Sequence, residues 1–505
     1  MKKDKVFTGI LLAIYLLQLL AEGMAAYMIF RLDMLPPLFA AVLAGVFLFF
    51  ALLTGFLMFL HRKGRTPGLT RRIVAIVLAI LTVFGSGLSF VVANDVFRTM
   101  EKVTTPQVSL VTRSIYVRTD DPAQTLTDTA NYTYAAVENY DEYSTQQAIK
   151  VIETELETTL EVQYFASVPQ MVDALYSGNV DAMLLNSAYI QILEETEGYG
   201  DFSQKARLLH DVPVSEWTPP TVQTEPVETE PVVVEKNITN TPFAVYISGS
   251  DTRSSYLPTN TRSDVNILAI VNPVTKQVLL LNTPRDYYIE NPAGGGSRDK
   301  LTHCGIYGID CSIKALEVLY GLDVNYYARI NFTGFETLID AIGGITVYSD
   351  AGFSTAGNTY VGAGENYLNG KEALAFARER YNVSGGDNGR GKNQMKVITA
   401  VIKKLTSGTT ILSNYSQILA SLQGMFETSM SMEDISALVK MQLTDLASWD
   451  IQSYAVTGKT GGAVTYSAPG QNLSVMFVNE ELVAHASELI RKVMDGQPLT
   501  AQDLS

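Results

Sequence analysis

Long apolar runs dominate the start of the chain, whereas shorter apolar and amphipathic segments fill the remainder. The runs cover Phe7–Phe30, Met34–Leu60 and Ile73–Ala93, and Glu22 is their one charged residue. About 20 apolar residues span the hydrocarbon core of a bilayer, so each run predicts a transmembrane helix. A cleaved signal peptide is the alternative for the first run, but that run is too long and no cleavage-type tail follows it.

Basic residues in the short loops predict the orientation of these helices. They cluster before the first run and between the second and third, at Lys2, Lys3, Lys5, Arg62, Lys63, Arg65, Arg71 and Arg72. The positive-inside rule places both clusters in the cytoplasm. We therefore expect a multi-pass protein of the cell membrane, with a cytoplasmic N-terminus and a large extracytoplasmic C-terminal region.

Strands and helices alternate in the next segment, which predicts a small α/β domain. The predicted strands are Ser109–Val117, Glu161–Phe165 and Ala182–Leu185, and the predicted helices are Thr145–Thr158 and Val168–Tyr176. Proline, threonine and glutamate then replace the apolar pattern over Pro213–Pro242, as in an extended spacer. The predicted domains are a membrane anchor (1–98), a small α/β accessory domain (99–212), a linker (213–242) and a large domain (243–496).

Apolar strands and amphipathic helices resume after the spacer and predict a mixed-sheet α/β fold with a large interior. The predicted strands are Phe243–Ser248, Val265–Val271, Gln277–Asn282, Tyr326–Ile330 and Ile345–Tyr348. The predicted helices are Ser312–Tyr320, Phe332–Ile342, Asn369–Phe376, Gln394–Leu405, Ile411–Phe426, Met432–Leu446 and Leu482–Met494.

Charge and cysteine content exclude several classes of protein. The 505 residues contain 37 Lys+Arg and 52 Asp+Glu, for a formal net charge of −15. The acidic balance and the lack of a basic block argue against binding to duplex DNA, and we expect no nucleic acid partner. Two cysteines exclude a disulfide-dense scaffold and a four-cysteine zinc site.

Charged and polar residues of the large domain gather at predicted strand ends and in glycine-rich turns. These residues are Asp251, Arg253, Arg262, Asp264, Arg285, Asp286, Lys300, Arg378, Arg380, Asp387, Arg390 and Gln394. Converging guanidinium groups suit phosphate oxygens, and aspartates beside them suit Mg²⁺ with a phosphate ligand. If the segment around Arg378 and Arg380 is extended, both side chains share a face. We expect Asp387, Arg390 and Gln394 on a glycine-rich loop. Scattered surface ion pairs are the alternative.

The order of these motifs resembles the LytR-CpsA-Psr family. The resemblance rests on LNTPRDY at Leu281–Tyr287, KLTHCG at Lys300–Gly305, IGGITV at Ile342–Val347 and LNGKEALAFARER at Leu368–Arg380. It also rests on Ser263–Asn272 and Asp387–Gln394. The three anchoring segments and the small domain are similar to those of capsule-associated members. The resemblance implies an α/β/α fold with a hydrophobic tunnel for a polyprenyl tail.

The resemblance also implies a function: phosphotransfer of a glycopolymer, with capsular polysaccharide expected, from polyprenyl pyrophosphate onto peptidoglycan outside the membrane. Capsule-assembly proteins are candidate partners. Two alternatives stay open. One is a non-catalytic regulator or scaffold of capsule assembly that binds the lipid, and the other is a polyprenyl pyrophosphate phosphatase.

The resemblance assigns roles residue by residue. Asp251 and Asp264 correspond to the family's metal ligands, with Mg²⁺ or Mn²⁺ as the implied ion. Arg285, Arg378, Arg380 and Asp264 are the implied catalytic residues. Arg285, Arg378, Arg380, Arg390, Lys300, Asp387 and Gln394 are the implied pyrophosphate-binding residues. Asn393 stands where many members have a further arginine.

Two further sets of residues carry open alternatives. Ile267–Ile270, Leu279–Leu281, Leu316–Leu319 and Phe335–Ile342 could line the tunnel or could belong to ordinary core packing. Cys304 and Cys311 lie in the predicted extracytoplasmic region, where conditions allow pairing. They form either a disulfide that closes a small loop or two buried free thiols.

Overall fold

A computed structural model describes residues 2–60, 68–104, 110–138, 142–215, 237–250, 252, 256–257, 260–407, 418, 422 and 424–504. The described chain packs as two compact units. The first contains the described parts of Met1–Thr105, Ile402–Gln423 and Met430–Trp449. The second contains those of Pro106–Val401, Gly424–Ser429 and Asp450–Ser505.

The helices are α1 (Lys2–Leu32), α2 (Pro37–Phe59), α3 (Leu69–Thr104), α4 (Glu142–Leu156), α5 (Val168–Ser177), α6 (Ala188–Glu194), α7 (Phe202–Lys205), α8 (Leu301–Cys304), α9 (Ile309–Tyr320), α10 (Phe332–Ala341), α11 (Gly370–Arg378), α12 (Asp387–Thr406), α13 (Met432–Asp445) and α14 (Glu480–Met494).

The strands are β1 (Leu110–Arg118), β2 (Thr133–Val137), β3 (Glu161–Phe165), β4 (Ala182–Leu185), β5 (Ala206–Ser215), β6 (Phe243–Ser250), β7 (Ser263–Asn272), β8 (Gln277–Asn282), β9 (Tyr288–Glu290), β10 (Arg298–Lys300), β11 (Tyr326–Asn331), β12 (Ile345–Ser349), β13 (Phe353–Ser354), β14 (Tyr360–Val361), β15 (Gly364–Leu368), β16 (Phe426–Thr428), β17 (Asp450–Ala455), β18 (Gly458–Thr465) and β19 (Ala468–Val478).

The first unit is built around α1, α2 and α3, which match the predicted transmembrane segments. Within the described residues, the stretches long and apolar enough to cross a membrane are Phe7–Leu32, Pro37–Phe59 and Leu69–Lys102. Most of their large apolar side chains are exposed, as lipid-facing helices require. Helix α3 continues well past the predicted apolar run, because the polar residues after Ala93 are compatible with helix.

The small domain of the second unit is an α/β layer structure, as predicted. Its sheet has the order β3-β2-β4-β1-β5, with β1 antiparallel to both of its neighbours. Ser167 caps the N-terminus of helix α5, where its side chain accepts from the backbone N–H of Gln170, and Gly178 in the left-handed region follows the last helical residue. Strand β5 runs through Ser215, so the predicted start of the spacer at Pro213 is too early. Pro213 is tolerated in β5 because β5 is an edge strand.

The large domain is organised by a mixed sheet in the order β16-β11-β6-β7-β8-β17. Strand β7 is antiparallel to β6 and β8, whereas β11 is parallel to β6. Ala244 and Tyr246 on one face of β6 pack in a core with α9 and α14. The next residue, Ile247, faces the opposite side, which is covered by α10, α11 and α12. This three-layer arrangement confirms the predicted α/β/α fold.

Several predicted elements differ from the observed ones. Most of the predicted helix Ile411–Phe426 lies outside the described residues, and Phe426 itself begins strand β16. The stretch from Asp387 is not a loop but the first turns of α12. Its glycines allow close packing instead: a Cβ at Gly391 would collide with the Asn282 side chain, and one at Gly389 with the Ser384 carbonyl.

The two domains of the second unit are packed against each other. Ile306, Ala468 and Leu473 of the large domain belong to the same buried apolar cluster as small-domain residues such as Tyr189 and Leu193. The small domain is therefore part of one folded body with the large domain, although the sequence predicts a spacer between them.

Candidate functional site

A cavity of about 320 Å³ lies in the large domain between the sheet and α10, α11 and α12. Most of its lining is apolar, and this part of the wall consists of Ile247, Val265, Ile330, Phe332, Phe335, Leu374, Ala377, Val397 and Ile398. A wall of this composition suits an aliphatic chain, because burial of apolar surface is favourable and does not require a particular orientation of the ligand.

Most of the residues predicted to line a tunnel are located elsewhere. Leu268, Ile270, Leu279, Leu281 and Leu316 belong to the core between the sheet and helices α9 and α14. The tunnel prediction was wrong for these positions, and core packing, the alternative, is what the structure has. Among the predicted tunnel ranges, Phe335 does line the cavity.

Charged and polar side chains share the same cavity: Asp264, Arg285, Arg378, Arg390 and Gln394. Helix α12 explains part of this arrangement, because Arg390, Gln394, Val397 and Ile398 recur at helical spacing and form one stripe. The stripe changes from guanidinium to amide to aliphatic along the helix. The cavity thus combines a cationic part with an apolar part, as an amphipathic anionic ligand requires.

The sheet brings Asp264 and Arg285 together. Asp264 lies at the start of β7 and Arg285 follows the end of β8, and these strands are antiparallel neighbours. Arg285 Nη1 donates to Asp264 Oδ2 at 2.9 Å, and Thr302 Oγ1 donates to the other oxygen at 3.3 Å. Asp286 lies 3.6 Å from Arg285 Nε.

Neighbouring charges keep this pair ionised. Burial alone would raise the pKa of Asp264, but the charges of Arg285, Arg262 and Arg390 together hold it below its ordinary value. Burial likewise opposes the charge of Arg285, but Asp264 and Asp286 raise its pKa further above the usual range. Both groups therefore carry their charges throughout the physiological pH range.

The positive charge of Arg390 is less well stabilised than that of Arg285, because their pKa values shift in opposite directions. Its Nη2 lies 2.7 Å from Asp387 Oδ1, one helical turn away. The pKa of Arg390 is lowered, first by burial and then by the charges of Arg285 and Arg380, against the opposing effect of Asp387. Within the described part of the chain, the charged residues that line the cavity are three arginines and one aspartate, an excess of positive charge that attracts an anionic ligand.

Arg378 and Arg380 do not share one face of an extended segment. Arg378 is the last residue of α11, lines the cavity and stacks over the Phe332 ring with 4.4 Å from Cζ to the centroid. The Arg380 side chain is 45% exposed and lies 3.9 Å from Asp387. The prediction of parallel guanidinium groups was wrong because the helix continues through Arg378.

Lys300 is engaged by two carboxylates. Its Nζ lies 2.9 Å from Glu195 Oε2 and 3.8 Å from Asp286 Oδ1. Glu195 belongs to the small domain and directly follows α6. Within the described residues, the cavity lining does not include Lys300, Arg380 or Asp387.

The sequence of the large domain also matches a known family. The family model described as LytR_cpsA_psr matches residues 215–486, more than half of the chain. The chain belongs to the LytR_cpsA_psr family. This finding confirms the family resemblance of the sequence motifs.

Two proteins with the same name are similar to this chain. A polyisoprenyl-teichoic acid–peptidoglycan teichoic acid transferase TagU of Enterococcus faecalis is 35% identical over 198 residues, which are 39% of this chain and 64% of that protein. The protein of the same name from Oceanobacillus iheyensis is 32% identical over 237 residues, 45% of this chain and 72% of that protein. The alignment with the first relative thus spans less than two thirds of its length.

A solved structure, that of B. subtilis TagV, is 24% identical with a TM-score of 0.43 and covers 51% of this chain and 99% of that one.

Of the two metal ligands predicted from the family pattern, the structure describes Asp264 but not Asp251. Asp251 and the neighbouring Arg253 lie outside the described residues. Asp264 lines the cavity and is ionised, so its oxygens suit a hard divalent cation. Among the residues that the structure describes, no group of three or more His, Cys, Asp or Glu side chains is arranged to hold a metal ion.

Cys304 and Cys311 lie side by side as buried free thiols in the structure. Cys311 Sγ donates to Asn291 Oδ1 at 3.3 Å. Of the two arrangements that the sequence allowed, the structure has the second. A disulfide between Cys304 and Cys311 under oxidising conditions stays a prediction.

Sequence reasoning missed one residue of this region, Glu195. The small domain contains many acidic residues, and nothing in the local pattern separates Glu195 from Glu194 or Glu197. Its position becomes recognisable only when the packing of the two domains is known.

Proposed function

We propose that this chain transfers a glycopolymer from a polyprenyl pyrophosphate carrier onto peptidoglycan on the outer side of the membrane. The observation that carries the proposal is the cavity that joins apolar walls to Arg285, Arg378 and Arg390. A polyprenyl pyrophosphate has an aliphatic tail and a multiply charged head, which match these two parts. The relatives are named as transferases of polyisoprenyl-linked teichoic acid to peptidoglycan, which supports the same reaction class.

In this proposal a sugar hydroxyl of peptidoglycan attacks the phosphorus atom that carries the polymer. The new bond joins the hydroxyl oxygen to that phosphorus, and the bond to the bridging oxygen of the pyrophosphate breaks. The carrier leaves as polyprenyl monophosphate. Arg285, Arg378 and Arg390 stabilise the charge on the phosphate oxygens, and the more exposed Arg380 adds to the positive field. The hydroxyl proton passes to water, because Asp264 is held ionised by arginines and is a poor base.

We further propose that Mg²⁺ or Mn²⁺ takes part, with Asp264 and Asp251 as protein ligands. Mg²⁺ commonly binds one or two carboxylates together with substrate phosphates, so a small protein ligand set is compatible with this role. The ion would supply additional neutralisation of the pyrophosphate charge.

The expected polymer is a capsular polysaccharide, and capsule-assembly proteins are the expected partners. The three apolar helices and the small domain that precede the large domain support this choice, because they resemble capsule-associated members of the family. The relatives cited above are named for teichoic acid, so both donors belong in the assay. The basic loops support a cytoplasmic N-terminus and an extracytoplasmic second unit.

The test is reconstitution of the full chain in detergent with Mg²⁺, lipid-linked donor and peptidoglycan. We expect polymer linked to peptidoglycan and loss of that product with Arg285→Ala. Phosphate release without acceptor would replace the proposal by a phosphatase. Binding of the lipid without turnover, under conditions where a known transferase works, would replace it by a scaffold.

A further inference from the structure

Glu195 of the small domain holds two buried cations of the large domain at once. Its Oε1 accepts from Arg262 Nη1 at 2.7 Å, and its Oε2 accepts from Lys300 Nζ at 2.9 Å. The Arg262 and Lys300 side chains are 7% and 5% exposed, whereas that of Glu195 is 34% exposed. The two cations are therefore held in the protein interior, and the carboxylate is the group that solvent can reach.

The two buried cations need an anionic partner. Buried cations require a compensating charge, and a carboxylate with one oxygen on each cation occupies the position that two phosphate oxygens would take. Arg262 Nε is also buried, and within the described chain it makes no hydrogen bond. That nitrogen leaves donor capacity that Glu195 does not use.

The pair adjoins the cavity of the candidate site. Lys300 and Arg285 are both close to Asp286, at 3.8 and 3.6 Å. The charge of Arg262 acts on Asp264, and that of Glu195 acts on Arg285. An anion in the cavity would therefore feel both the negative charge of Glu195 and the positive charge of the two cations that Glu195 binds.

We propose that Glu195 is a specificity-determining residue: an internal anion that occupies the Arg262–Lys300 pair and competes with a phosphate group of the ligand for it. The small domain thereby sets how tightly the site holds a pyrophosphate. Productive binding of the full head group requires the Glu195 side chain to move outward, which its exposure allows. This inference rests on the proposed function, because it assumes that the cavity takes a pyrophosphate.

The experiment measures binding of inorganic pyrophosphate to the full chain in detergent by calorimetry. Glu195→Gln keeps the size of the side chain, but its amide nitrogen cannot accept from the second cation. We expect this variant to bind pyrophosphate about tenfold more tightly than the wild-type chain, a difference of about 1.4 kcal/mol. Glu197→Gln is the matched control, because it removes the same charge at an exposed position two residues away. We expect its affinity to remain within about twofold of wild type.

A double-mutant cycle with Lys300→Ala tests the shared cation directly. If Glu195 screens Lys300, the lysine substitution lowers the affinity more in the Glu195→Gln background than in the wild-type chain. Glu195→Asp is the second variant should the glutamine variant fail to fold. It keeps the charge, but its shorter side chain cannot bridge both cations, and we expect a smaller gain in affinity.

The outcomes separate this inference from the proposed function. Pyrophosphate binding that is equal or weaker in Glu195→Gln, in a folded protein, would show that Glu195 is only a structural ion-pair partner and would overturn the inference alone. No pyrophosphate binding to the wild-type chain or to any of the variants would overturn the proposed function as well.

Discussion

Asp264 and Arg285 form an ion pair of 2.9 Å at the end of the sheet where β7 begins and β8 ends. The two side chains are 17% and 15% exposed, and both line the cavity. The pair thus connects the ends of two neighbouring strands and also supplies charged groups to the cavity. Its loss has consequences for stability as well as for function.

Arg285→Ala should reduce transfer by about 10²–10³-fold, because a donor aimed at the reacting phosphates is lost. It should also destabilise the second unit by about 3 kcal/mol, since Asp264 is left buried without its main partner. Activity and thermal unfolding are the two measurements.

The double variant Arg285→Ala with Asp264→Asn should recover part of the stability but none of the activity. Arg298→Ala, at an exposed position in β10, controls for the loss of a positive charge. Equal losses in the single and double variants would mean that the unpaired Asp264 carboxylate is not what destabilises Arg285→Ala.

Gly391→Ala should displace the first turns of α12. The added Cβ would collide with the Asn282 side chain at the end of β8, and the helix carries Arg390 and Gln394 into the cavity. We expect a loss of stability of about 1–3 kcal/mol and a raised KM for the lipid-linked donor. The matched control is Gly357→Ala, where the nearest atom to the added Cβ is 3.9 Å away. Wild-type stability and KM in Gly391→Ala would contradict this account of the helix packing.

The sequence predicts the sheet better than the site. Strand β8 has its predicted bounds and β7 is close to them, because continuous apolar runs identify buried strands. The glycine-rich stretch from Asp387 was predicted as a loop, since glycine weakens a helix and the partner that requires it, Asn282, lies far away in sequence. Glu195 could not be predicted at all, because its role depends on how the two domains of the second unit pack.

Ala377→Phe should block the apolar part of the cavity without removing a charge. Ala377 is buried in α11 and lines the cavity beside Leu374, so a phenyl ring would fill space that the proposed polyprenyl tail requires. We expect loss of binding to polyprenyl pyrophosphate but retained binding to inorganic pyrophosphate in calorimetry. Ala375→Phe, on the same helix but outside the cavity lining, is the control. Parallel loss of both ligands would indicate a general disruption of α11 instead.

Acidification should weaken the fold partly through Glu195. Burial opposes its ionisation, but Lys300 and Arg262 lower its pKa from 4.5 to about 2. The folded chain therefore binds fewer protons at this site than the unfolded chain between these values. The stabilisation from Glu195 is complete above about pH 4.5 and disappears as the pH falls towards about 2.

Thermal unfolding midpoints between about pH 3 and 7 test this expectation. Glu195→Gln should show a shallower fall on acidification than the wild-type chain and Glu197→Gln. Asp264 and Asp299, whose pKa values are also lowered, are present in all of these proteins, so the difference in slope reports Glu195. Parallel curves for wild type and Glu195→Gln would contradict the assignment.

Removal of divalent cations should abolish transfer if the proposed metal ligands are correct. Asp264 supplies ionised oxygens to the cavity, and a pyrophosphate bound among the arginines would supply the remaining ligands. EDTA should therefore stop product formation, and Mg²⁺ or Mn²⁺ should restore it. Asp264→Asn should require a higher Mg²⁺ concentration for half-maximal rate, whereas Asp450→Asn, at the exposed start of β17, should not. Transfer that continues unchanged in EDTA would exclude a metal role, and in that case the arginines alone would have to neutralise the phosphates.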